Sequence, residues 1–158
     1  MFKKALSLLL AIMIICSLTG CTEVLGGTFF LFLANAGDDR ASQNAIFQFV
    51  RKNEDKLENA IETGDFSAFE NKGIIKSIEV DAAVVDFSCG GYGMGPSTSY
   101  VGFYYTPEND MTAVWCAPSS AGALTSSGNG FEWQEPDGDN RYYTEHICGN
   151  FYYYAASF

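Results

Sequence analysis

The chain has 158 residues, 19 of them acidic and 9 basic, and a net charge of −10. That balance excludes nucleic acid as a partner, because a phosphate backbone demands basic stripes, and it excludes electrostatic adhesion to an anionic lipid surface. A 47% share of hydrophobic residues is enough for one domain with a sizeable core.

Two lysines, Lys3 and Lys4, precede an apolar run, Ala5–Leu18. The run is shorter than the ~20 residues that span a bilayer and suits the core of a signal peptide. It ends in Leu18-Thr19-Gly20-Cys21, in which small residues let a peptidase reach the backbone and a thiol can accept a diacylglycerol. This stretch resembles the lipobox of bacterial lipoproteins. The resemblance implies that residues 1–20 are removed, that Cys21 becomes a lipidated N-terminus, and that the mature chain sits on the extracytoplasmic face of the cell membrane. Cleavage leaves 138 residues and, with Lys3 and Lys4 gone, a net charge of −12. The lipid must then do the anchoring, at about 0.8 kcal/mol for each buried methylene.

Residues 21–40 form the expected linker. Its stretch Val24–Leu33 is too short to span a membrane and too apolar for a solvated tether, so an interfacial or loosely docked segment is expected. Gly37-Asp38-Asp39 marks the boundary to a single domain, residues 41–158.

Ser42–Thr63 is the clearest helix. Ile46, Val50, Leu57 and Ile61 form one stripe, Ser42 is placed as N-cap and Gly64 as left-handed C-cap. The opposite face is charged. Asp65–Lys72 reads as a further turn with Phe66 and Phe69 as its apolar pair, stopped by Gly73.

From Ile74 the period changes to two. Ile74–Val80 alternates imperfectly and reads as an edge strand. Val84–Cys89 places Val85, Phe87 and Cys89 on one face. Gly90–Ser99 reads as a glycine-rich loop. Tyr100–Tyr105, Thr112–Ala117, Phe131–Gln134, Arg141–Cys148 and Phe151–Ser157 follow as strands, separated by turn signals. Gly149-Asn150 is a two-residue hairpin turn that would set Cys148 opposite Phe151 and His146 opposite Tyr153. The order predicts an α+β fold, with an N-terminal amphipathic helix packed on an antiparallel sheet of about five to seven strands.

Little in the sequence assembles into a catalytic site. Gly90–Gly95 has neither phosphate-loop spacing, and Pro96 follows where a helix should. Glu135, Asp137 and Asp139 lie in a hairpin turn, and the EF-hand positions for Gly and Glu are occupied by Tyr142 and Cys148. His146 is the only histidine, so a multi-histidine zinc site is impossible. Extended backbone would separate it from Cys148 by roughly 7 Å, long for a nucleophile and its base. No cofactor and no metal is expected. Tyr104, Tyr143, Tyr152 and Tyr154, from the aromatic clusters, are the candidate binding surface, a platform for sugar rings or a protein.

With Cys16 cleaved off and Cys21 lipidated, Cys89, Cys116 and Cys148 remain. Cys89 and Cys148 both end strands beside glycine, so a Cys89–Cys148 disulfide is expected, with Cys116 as the rival partner for either. The domain also resembles small lipoproteins of Gram-positive bacteria, with a helix, a Cys-Gly-Gly strand end and a tyrosine-rich last strand. That likeness carries no activity with it. The expected function is non-enzymatic binding of an envelope protein or glycan. The alternatives are an envelope enzyme with an unidentified site and an immunity or exclusion protein against a toxin or phage.

Overall fold

Ser42 caps the first helix. Its side-chain oxygen accepts from the Ala45 N–H at 3.3 Å, which starts helix α1, Gln43–Thr63. Gly64 ends the helix at φ +71°, a conformation that costs glycine nothing. Both caps fall where the sequence puts them. The computed structural model describes residues 40–70, 72–94 and 97–158. The expected signal, the Cys21 lipidation site, most of the linker and Gly95-Pro96 lie outside the described residues.

The helix bends at Asn53, whose backbone leaves helical geometry at φ −118°. Its side-chain amide donates to the Phe49 carbonyl at 2.8 Å, the acceptor its own N–H would take in a regular helix. Ile46, Val50, Leu57 and Ala60 are buried, and each full burial of a large aliphatic side chain stabilises by roughly 1.5–3 kcal/mol.

They pack on one face of a seven-stranded antiparallel sheet. Its strands are β1 (Ser77–Asp81), β2 (Val84–Met94), β3 (Ser97–Tyr105), β4 (Thr125–Ser127), β5 (Gly130–Gln134), β6 (Arg141–Cys148) and β7 (Phe151–Ser157), in the order β1-β2-β3-β7-β6-β5-β4. The fold is therefore α+β, and β1 is an edge strand. Val85, Phe87 and Cys89 of β2, Phe103 of β3, and Phe151 and Tyr153 of β7 join the helix residues in one core. Phe87 and Phe103 stack at 4.5 Å across β2 and β3.

A second core lies on the opposite face. Tyr104, Tyr142, Tyr152, Tyr154 and Ala156 are covered there by Val114 and Cys116 from the connection between β3 and β4. That connection corrects the expectation of a strand at Thr112–Ala117. Burial alternates along it as in a strand, but its backbone bonds are local: Ala113 N–H to the Asp110 carbonyl and Ala117 N–H to that of Val114. The Asp110 carboxylate also takes the Thr112 N–H and hydroxyl, each at 2.8 Å, which bends the chain.

The described part of the glycine-rich stretch, residues 90–94 and 97–99, is likewise strand and not loop. β2 continues through it to Met94 and pairs with β3 as far as Ser97, after a bulge between Ser88 and Gly91. Gly93 sits at φ +117°, and a Cβ there would lie 2.0 Å from the Ser97 carbonyl oxygen, so only glycine fits.

Candidate functional site

Strand alternation puts Tyr104, Tyr152 and Tyr154 on the second face and Tyr143 on the helix face. The four therefore share no surface, which corrects the expected platform. Tyr104 and Tyr154 are wholly buried and Tyr152 nearly so. Two hydroxyls of this face hold the covering connection instead, those of Tyr152 and Tyr142. Tyr152 donates to the Asn109 side-chain oxygen at 3.2 Å, and Tyr142 donates to the Met111 carbonyl at 2.9 Å. Tyr104 and Thr144 share a bond of 3.1 Å. Burial pushes the Tyr104 hydroxyl up to about 12, and those of Tyr142 and Tyr154 further up, so all three stay protonated.

The expected Cys89–Cys148 disulfide is not formed: Cys89, Cys116 and Cys148 are free thiols. Cys89 and Cys148 do face the same core, but β3 and β7 lie between β2 and β6. Three inter-strand steps of ~4.8 Å exceed the 4.4–6.8 Å Cα separation of a bridge. The offset along the strands adds to this, because Cys148 is in register with Val85 through Phe151 and Tyr105. Cys116 belongs to the other face. Burial pushes the Cys89 thiol up to about 12, raises that of Cys116, and, with Glu54 alongside, pushes Cys148 up to about 11. None is poised as a thiolate.

His146 pairs with Tyr152 and not with Tyr153, because the β6–β7 register shifts between His146 and Cys148. The bulge turns Cys148 toward the helix core, while the His146 ring packs edge-on to Tyr152 at 5.1 Å, with Nε2 2.8 Å from the Gly149 carbonyl. A Cys–His pair is thereby separated by the sheet itself. Among the described residues no three His, Cys, Asp or Glu side chains are grouped to hold a metal ion, and no helix is long and apolar enough to cross a membrane.

Two features remain that no sequence motif marks. The first is Trp115, 59% exposed although it sits in the connection that seals the second core. Its Nε1–H donates to Oδ2 of the buried Asp86 at 3.0 Å. Its ring stacks on Phe158 at 5.9 Å and meets Tyr100 edge-on at 5.5 Å. The indole is thus fixed at one edge and one face, and the rest of it meets solvent. Asp86 also accepts from the Tyr154 hydroxyl at 3.4 Å, while its buried Oδ1 has no partner. Burial pushes the Asp86 carboxyl up to about 6, against the lowering effect of its bonds from Tyr154 and Trp115.

The second is a cavity of about 380 Å³ on the helix face. The register aligns two rows of side chains there: Ser99, Ser157, Arg141 and Gln134 in one, Val101, Ala155, Tyr143, Glu132 and Thr125 in the other. Small residues on β3 and β7 make the floor. Arg40 lines the cavity, and next to it the Ala41 N–H bonds to the Cys89 carbonyl of β2 at 2.9 Å. No family model, no curated protein and no solved structure matches this chain.

Proposed function

We propose that this chain is a bacterial lipoprotein, anchored through lipid on Cys21 to the extracytoplasmic face of the cell membrane, whose domain binds an envelope glycan non-enzymatically. The observation that carries the binding part is Trp115. A solvent-facing indole normally keeps its rotamer freedom and loses it on binding. Here the hydrogen bond to Asp86 and the contacts with Phe158 and Tyr100 already hold it. An immobilised aromatic face beside polar groups suits the apolar face of a sugar ring. The anchoring part rests on Leu18–Cys21 alone. Burial of Cys89 and Cys116 and the separation of His146 from Cys148 favour binding over an enzymatic reading.

Two measurements test the proposal. Exported wild-type chain should carry acyl groups on Cys21 as its first residue, and Cys21→Ser should remain unprocessed; an unacylated N-terminus elsewhere refutes the anchor. The purified chain should retain soluble cell-wall glycan fragments, and Trp115→Ala should release them while its circular dichroism stays unchanged. Equal retention by both proteins refutes the site.

A further inference from the structure

The cavity on the helix face is chemically unlike the rest of this acidic chain. The protein has three arginines, Arg40, Arg51 and Arg141, and two of them line this one cavity. Arg40 is oriented by Tyr92, whose ring lies 5.3 Å from its guanidinium carbon. Arg141 projects from β6 between Ser157 and Gln134, its neighbours in register on β7 and β5. Among the described residues one acidic side chain lines the cavity, Glu132, and its Oε2 accepts from the Ser127 hydroxyl at 2.9 Å. Glu145, nearby on the same face, accepts at Oε2 from the Tyr143 hydroxyl at 2.7 Å and the Gln43 amide at 2.8 Å.

The floor is small and polar. Ser99 and Ser157 face each other across β3 and β7, with Ala155 and Val101 one row above. Hydroxyls and an amide around an arginine fork suit a ligand that carries many hydroxyls and one anionic group. A guanidinium pairs bidentately with carboxylate or phosphate. The net charge of −10 and the two flanking carboxylates oppose a dianion more than a monoanion. The volume lies within the ~300–1,000 Å³ typical of ligand pockets.

We infer that this cavity is a binding site for a carboxylate-bearing sugar, with Arg141 as the carboxylate clamp, Arg40 as the second positive charge, and Ser99, Ser157 and Gln134 as hydroxyl partners. The site lies on the opposite face from Trp115 and does not depend on the glycan reading given to that residue.

The test is calorimetric titration of the full chain with sodium glucuronate, glucose and inorganic phosphate. Glucuronate should bind saturably, with glucose and phosphate each weaker by roughly tenfold or more, the scale of one charge-assisted bidentate pair. Arg141→Gln should weaken glucuronate by a similar factor. Arg141→Lys should recover only part of it, because an ammonium offers no planar fork. Ser157→Leu, which fills the floor, should abolish binding. The inference is overturned by the absence of saturable glucuronate binding, by glucose or phosphate binding as tightly as glucuronate, or by Arg141→Gln binding like the wild type.

Discussion

Asp86 is buried between the tyrosine layer and the connection that covers it, and ionising it there is costly. Its carboxyl is shifted from 3.8 to about 6, chiefly by burial, which makes the native state bind its proton more tightly than the unfolded chain. The sign follows by linkage. Between those two values the native state holds more protons, so stability falls as pH rises; the cost is absent well below 3.8 and fully present above about 6. A two-unit shift is worth about 3 kcal/mol at pH 7.5 and about 1.6 kcal/mol at pH 5.0. Asp86→Asn removes this dependence. Its carbonyl can still accept from Trp115 and Tyr154, but its amide takes the place of the partnerless Oδ1 and loses about 1–3 kcal/mol as an unsatisfied donor. The variant should therefore lie within about 2 kcal/mol of wild type at pH 7.5. The decisive quantity is the change in that difference: relative to wild type, Asp86→Asn should lose about 1.4 kcal/mol between pH 7.5 and pH 5.0. Urea unfolding of both proteins at the two pH values measures it, and the other carboxylates cancel in the difference. A variant-minus-wild-type difference that is constant with pH would refute the argument that burial raises Asp86.

Leu57 is wholly buried against the sheet, so Leu57→Ala should destabilise the domain by about 2–5 kcal/mol in urea unfolding, and a loss below 1 kcal/mol would mean that the helix does not seat there. Gly149 sits at φ +48°, and a Cβ on it would lie 2.7 Å from Glu54 Oε1; Gly149→Ala should cost about 1–3 kcal/mol, and Glu54→Ala in the same chain should recover part of it. Thiol titration should find Cys89 and Cys116 unreactive in native protein, with Cys89, Cys116 and Cys148 all reactive in urea; a Cys89–Cys148 bridge found by peptide mapping would contradict the strand order.

The parts of this fold that the sequence makes legible are those whose physics is local. Helix α1 shows because its apolar stripe, its Ser42 cap and its Gly64 stop fall within one stretch of chain. Strands β6 and β7 show, to the residue, because Gly149 breaks a run of β-forming aromatics at a turn. Parity read Cys89 correctly but not Cys148: strict alternation sets Cys148 on the face of Tyr142 and His146, and the bulge after His146 brings it to the core of Cys89 instead. Alternation also does not say which strands are neighbours or how they are offset, and the disulfide failed on those points.

The candidate sites fail to show for the same reason, one level higher. Trp115 lies in a segment whose alternating burial imitates a strand, and Asp86 has the parity of a solvent-facing residue. Each makes sense only once the connection from Thr106 to Leu124 is laid across the second face, where Trp115 and Asp86, 29 residues apart, meet at 3.0 Å. The cavity is more hidden still. Ser99, Ala155 and Ser157 are ordinary small strand residues until β3 and β7 are placed side by side; then they become a floor with Arg141 on the next strand. A pocket built from rows across five strands has no linear signature, because every residue in it is explained locally by strand formation. Its charge is the one clue available beforehand. The chain has three arginines, and the fold brings two of them to one cavity, which is the placement the proposed anionic ligand answers.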